Sequence, residues 1–285
     1  MLEKIKSFVL DTADIYFGKR VTRGAAALAY YLTMTIFPLL ICLYSMLGSQ
    51  YRQAMQILGV VQNFIAEDTF TTLEDFLAYV ASSNSTAMLI AALLVLITSA
   101  SAAFRSFEMT VGDIQGQMRF RGVGGFIISL LFSVVFLAAV YLSILIMLTG
   151  SWFLSFVDKW LPFVNISKSW TWVRFLILFG VVFLMIYFFY YVTVPKNRPY
   201  QVTKGALTAT GAMVVVSIVF SVFISASAKY PLVYGSIASI ILLMLWLYLA
   251  SYVLIMGEVI NIVLRDRKEK AFLNNAFPEN NSADD

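Results

Sequence analysis

The side chains that most often carry catalysis are scarce in this chain. There is no histidine and a single cysteine, Cys42. That removes Ser-His-Asp and Cys-His catalysis, histidine-ligated zinc and the two-histidine iron site. Cys42 lies inside a hydrophobic run, with no partner for an intrachain disulfide, and reads as a small apolar filler. No Walker-type phosphate loop occurs, which argues against ATP-driven work by this chain alone. Metal-dependent RNA cleavage needs clustered carboxylates or histidines. Glu3, Asp11, Asp14, Glu108 and Asp113 are scattered along the chain, so the sequence argues against a nuclease.

What remains is a short set of polar and bent positions within apolar runs. Glu258 is the one ionisable residue well inside such a run. Counted from Tyr234 it lies ~36 Å along a helix at 1.5 Å per residue, close to the far interface. Arg23 and Arg105 fall at a similar depth, and Arg105 closes a run of its own, so a Glu258–Arg105 ion pair is the expected gate or anchor. A structural pair is preferred to a proton-coupling carboxylate. Pro38 removes a hydrogen bond from the middle of another run, with Thr33 and Thr35 before it. It marks either a hinge on a substrate path or a static kink. Tyr30, Tyr31, Tyr190, Tyr191, Tyr248 and Tyr252 concentrate towards one end. Interface anchoring explains most of them. If they face inward they line an amphipathic, uncharged cavity suited to a lipid or other amphiphile. The candidate cavity residues are therefore Tyr30, Tyr31, Pro38, Tyr190, Tyr234, Trp246, Tyr248 and Glu258. No cofactor, metal or nucleic acid is expected; membrane lipids and an amphiphilic substrate are the expected partners.

The elements that must position these residues are membrane helices. Of 285 residues, 60% are hydrophobic and 13% charged, far from the balance of a soluble domain. Six charge-free intervals hold 28, 29, 36, 21, 24 and 28 residues, each enough for a helix to cross ~30 Å of hydrocarbon. The expected spans are 25–48, 86–104, 123–149, 173–194, 205–227 and 234–262. They lack the alternation of a membrane β-barrel strand. The fold class is all-α: a polytopic bundle of six transmembrane helices. The first run is too long for a cleaved signal peptide. Fifteen of the 20 basic residues fall on the side of the two termini, which puts both termini in the cytoplasm and accounts for the net charge of +4. Trp152, Trp160, Trp170 and Trp172 mark the outer interface.

The flanks are amphipathic. Residues 1–22 form a cytoplasmic helix on the leaflet, with Leu2, Ile5, Val9 and Tyr16 near one face. The first external loop, 49–85, is expected to hold two short helices, the second opened by the capping box Thr71-Thr72-Leu73-Glu74. They are a lid or simply packing. Residues 23–264 make the membrane domain, and 265–285 a polar, disordered cytoplasmic tail. Ser217, Ser221 and Ser225, like Ser129 and Ser133, recur every four residues and suit close helix packing.

Several stretches resemble the YihY/BrkB family. They are Gly24-Ala25-Ala26-Ala27-Leu28-Ala29-Tyr30-Tyr31 with Phe37-Pro38-Leu39-Leu40, then Tyr190-Tyr191-Val192-Thr193-Val194-Pro195-Lys196-Asn197-Arg198 with Lys204-Gly205-Ala206. The third is Tyr234-Gly235-Ser236-Ile237-Ala238-Ser239, with Leu245-Trp246-Leu247-Tyr248 and Gly257-Glu258-Val259-Ile260-Asn261. The likeness covers roughly 20–264. It departs at Val111-Gly112-Asp113-Ile114, where the family often has a Leu-Asn pair. The resemblance implies a bacterial plasma-membrane protein of about six spans. Members carry the label ribonuclease BN, or are linked to serum resistance or to envelope lipids. The expected function is a transporter or binder of a lipid or other amphiphile in envelope maintenance. The alternative is a membrane scaffold that works through segments 105–122 and 196–204.

Overall fold

The computed structural model describes residues 2–47, 86–116, 122–140, 166–195, 200–226 and 237–276. Among them are seven helices and no strand: α1 (Leu2–Gly18), α2 (Val21–Leu47), α3 (Thr86–Gln115), α4 (Gly122–Val140), α5 (Ile166–Thr193), α6 (Thr203–Ala226) and α7 (Ile237–Ala276). Six of these, α2 to α7, are long and apolar enough to cross a membrane. Each coincides with one of the six charge-free runs. Hydrocarbon offers no partner to a backbone amide, so a run of this kind satisfies its own amides as a helix. The outside of the bundle is apolar as well. On α6, Val215, Ile218, Val219 and Val222 are 60–64% exposed, a face that suits lipid and not water.

Two helices run past the expected far ends of their spans, and α5 starts early, at Ile166 and not at 173. α3 continues past 104 to Gln115 and stops at Gly116, whose φ of +75° is the usual left-handed helix cap. Phe107, Val111 and Ile114 keep a buried face on this extension at helical spacing, so the first part of segment 105–122, to Gln115, is helix. α7 runs to Ala276, through the start of the stretch expected to be a polar tail from 265. Charged residues there cost a helix nothing once it has left the apolar layer, and Ile262 and Val263 still hold it to the core.

The helices meet most tightly at the end where α1 lies. The main core joins Val21, Ala25 and Leu28 of α2 with Phe107 and Val111 of α3, Ile186 and Tyr190 of α5, Ala206 and Ala209 of α6, and Ile255, Val259 and Ile262 of α7. α2 lies along α3, and α7 packs against α2 and α6. Glycines set two of these crossings. A Cβ on Gly24 would collide with Thr110 of α3. One on Gly257 would meet Tyr190 Oη and stand 2.6 Å from Ala209 Cβ. On α3 and α4, Ser101 Oγ and Ser129 Oγ are 2.7 Å apart, while Phe104 stacks on Phe132 at 4.3 Å. The serines of α4 thus sit in a helix contact, as their spacing predicts.

α1 docks against the bundle. Arg267 of α7 pairs with Asp11 at 2.6 Å and donates to Ser7 Oγ at 2.8 Å, and the Tyr16 and Tyr252 rings meet edge to face at 6.0 Å. α1 and the C-terminal part of α7 therefore meet at one end of the bundle. The docked face carries Phe8, Ile15 and Tyr16. Val9, expected on the same face as Tyr16, is 57% exposed. The partner of α1 is protein on one side, so a single apolar stripe does not describe it. The expected helices within 49–85, Tyr234, Trp152 and Trp160 lie outside the described residues.

Candidate functional site

Two polar features occupy the end where α1 docks. The first is an open cavity of about 540 Å³ between the α1–α2 turn, α2 and α3. Lys19, Arg20 and Arg23 stand on one side and Arg105 on the other, with Asp113 as the one carboxylate among the lining residues. Ala27 and Ala102 present little side chain to it, and Tyr31 and Met109 supply apolar wall. The turn that presents these cations is unusual. Lys19 N–H donates to Ile15 O at 2.9 Å and closes α1, and the residue that then turns left-handed is Arg20, with φ of 52°. Glycine normally fills such a position, and a residue with a Cβ costs roughly 1–2 kcal/mol there. None of the four cations forms a salt bridge among the described residues. Arg105 stands over the Phe126 ring, 6.0 Å from its centre.

The second feature is closed. Glu258 is fully buried. Tyr200, in the α5–α6 linker, donates its hydroxyl to Glu258 Oε1. Asn261 Nδ2 donates to Oε2 at 2.8 Å. Gln115, the last residue of α3, donates to Tyr200 Oη at 2.6 Å. The Asn261 amide oxygen accepts the Gly205 N–H at 2.7 Å. That N–H belongs to the first turn of α6, where helix amides have no partner of their own, so Asn261 caps α6 from α7. Burial, then the Glu258 carboxylate beside it, raises the Tyr200 phenol far above its ordinary range, so it remains a donor. The Arg265 guanidinium stands over the Tyr200 ring at 5.2 Å and pairs with Asp266 at 2.7 Å. This network ties α3, the linker, α6 and α7 together.

The structure therefore redistributes the sequence candidates. Glu258 and Arg105 do not pair. Glu258 is held by Tyr200 and Asn261, and Arg105 sits exposed on the middle of the longer α3, in the open cavity with Arg23. Tyr190 is sealed in the core and donates to Leu254 O at 2.6 Å. Tyr30 faces outward, 51% exposed, while Trp246 and Tyr248 are half-buried. Of the expected aromatic cavity wall only Tyr31 lines the cavity found. Pro38 lies within an unbroken α2. Thr33 and Thr35 donate to Ala29 O and Tyr31 O at 2.8 Å, not to the carbonyl of Met34 that the proline frees.

Lys19, Arg20, Gln115 and Tyr200 are absent from the sequence candidates. Lys19 and Arg20 had a signal, two cations in a short gap between two helical patterns. Tyr200 had none, because it belongs to a linker and gains its role only when α3 and α7 close on it. Among the described residues no three His, Cys, Asp or Glu side chains come together as a metal site.

Six membrane-length helices with a docked amphipathic helix define a polytopic α-helical membrane protein. Residues 14–280 match the family described as Virulence factor BrkB, and the chain belongs to that bacterial membrane family. It is 28% identical over 269 residues to YfkH of Bacillus subtilis (strain 168), a protein named only as ribonuclease-like, covering 92% of this chain and 97% of that one. It is 29% identical over 104 residues to a UPF0761 membrane protein of Aromatoleum aromaticum, covering 36% of this chain and 25% of that one. No solved structure matches it.

Proposed function

We propose that this protein binds an amphiphile at the cytoplasmic end of its helix bundle, in the plasma membrane, and hands it on in envelope maintenance. One observation carries the reading: the end of the bundle that holds the larger core among the described residues also holds a cavity of about 540 Å³ that combines cations with apolar wall. The excess of lysine and arginine on the terminal side supports a cytoplasmic position for that end. The depth supports it too. Arg23 and Arg105 bound the charge-free runs of α2 and α3, so the cavity lies where headgroups meet hydrocarbon.

Filling the cavity tests the proposal. Ala102→Trp and Ala27→Trp place an indole in the volume from positions that are not fully buried. The purified variants should keep the elution profile of the wild type, retain less co-purified lipid by mass spectrometry, and fail to restore envelope resistance to a deletion strain. Unchanged lipid and full complementation with the cavity blocked overturn it. A scaffold reading has one observation in its favour, the exposed Phe272 and Leu273 on the extension of α7, 72% and 49% exposed. It predicts that Phe272→Ser, and not Ala102→Trp, abolishes complementation.

A further inference from the structure

We infer that the open cavity recognises the phosphate of an anionic lipid headgroup, held by Arg20, Arg23 and Arg105. The inference rests on the amphiphile reading above and names its ligand class. The charge balance comes first. Four cations and one carboxylate line the cavity, a net excess of three positive charges (4 − 1 = 3). None of the four is neutralised by a salt bridge among the described residues, although Asp11 and Asp266 nearby are both engaged by arginines. Unpaired arginines left facing one volume suit a phosphate, whose oxygens accept the paired donors of a guanidinium.

Depth narrows the source. α2 carries its last cation, Arg23, just before a charge-free run of 28 residues, and α3 meets Arg105 just after one of 29. The guanidinium groups therefore bracket the interface, the layer in which phospholipid phosphates lie, and a basic pocket between membrane helices at that level is suited to such a headgroup. α2 also begins at this cavity, and the positive end of a 27-residue helix adds to the field on an anion there. The small side chains of Ala27 and Ala102 leave space beside the cations.

The backbone at Arg20 is the independent observation. The chain holds an arginine in the left-handed conformation at the very turn where a glycine would be cheaper. The Arg20 carbonyl accepts the Arg23 N–H at 3.0 Å and so helps start α2, a task any residue's backbone could do, while the Arg20 side chain is exposed and takes no part in the core. Strained positions collect at ligand sites, where the side chain is worth more to the ligand than its backbone costs the fold.

The test uses the full chain in phosphatidylcholine nanodiscs, with fluorescent phosphatidylglycerol as probe and unlabelled phosphatidylglycerol, diacylglycerol and inorganic phosphate as competitors. Phosphatidylglycerol should bind saturably. Each of Arg23→Gln and Arg105→Gln should weaken it about fivefold, the effect of one interfacial cation, while Lys268→Gln, at the far side of α7, should leave it unchanged. Arg20→Gly should weaken binding to the same degree while raising thermal stability, which separates lost recognition from lost fold. Competition by diacylglycerol equal to that by unlabelled phosphatidylglycerol overturns the headgroup inference and leaves the amphiphile reading standing. Inorganic phosphate that displaces the probe at matched concentration keeps the phosphate chemistry but removes the amphiphile. No saturable binding of any lipid overturns both, and binding indifferent to all three arginine variants overturns the site.

Discussion

Gly257 shows how little freedom single positions have at the end where α1 docks. Its missing Cβ is the space that Tyr190 Oη and Ala209 occupy, and Gly205 faces the Gly257 carbonyl from the other helix. Gly257→Ala should force α6 and α7 apart and cost about 1–3 kcal/mol, as overpacking does. A drop in detergent melting temperature well beyond that of Gly211→Ala, where a Cβ meets nothing within 4 Å, checks it. Tyr200 gives a prediction in pH. Its phenol is raised by burial and by Glu258, so the folded chain keeps this proton above about pH 10, where an unfolded tyrosine loses it. The unfolded state then binds fewer protons than the folded one, and stability must fall as pH rises through that window. Tyr200→Phe removes this contribution. Its melting temperature should start lower at neutral pH, because Glu258 and Gln115 each lose a partner, yet decline less than the wild type between pH 9 and 11 (window set by the ordinary tyrosine value of about 10). Parallel declines in the two proteins would remove the assignment.

Helices were the most legible part of this chain, and their ends the least. Every expected span corresponds to a helix, because a charge-free run of membrane length has no other stable backbone in hydrocarbon. The end of α3 was written in the sequence as well. Phe107, Val111 and Ile114 continue the helical spacing beyond Arg105, and Gly116 supplies the cap, but a search for apolar runs stops at the first charge. The partners of Glu258 were not legible. Tyr200 lies 58 residues away in a linker, and only the closure of three helices brings it to the carboxylate. The same applies to α1, whose docking depends on Arg267. That pair is partly exposed, 28% and 45% by side chain, so it fixes position more than it adds stability. Arg267→Ala should leave the melting temperature within a few degrees of the wild type while speeding amide hydrogen exchange across residues 2–18. Exchange as slow as before would show that the apolar contacts of Phe8, Ile15 and Tyr16 suffice alone.

Taken whole, the molecule is a bundle whose dense core, buried polar network and basic cavity share one end. That polarity makes its direction in the membrane a matter of consequence, and the lone cysteine makes it measurable. Cys42→Ser leaves a chain without thiols. On that background Lys6→Cys and Lys270→Cys should react with a membrane-impermeant maleimide only in opened cells, and Arg52→Cys in intact ones. Reaction of Lys270→Cys in intact cells would turn the cavity outward and sink its assignment to the inner leaflet.

The clasp between Asp11 and Arg267 carries a last implication, for biogenesis. Ribosomes emit α1 first and α7 last, so the opening helix waits through the synthesis of five membrane spans before Tyr252 and Arg267 emerge to receive it. Until then Phe8, Ile15 and Tyr16 have no permanent seat. A nascent chain stalled before residue 252 keeps that surface uncovered, which hands membrane proteases a simple mark of an unfinished polypeptide.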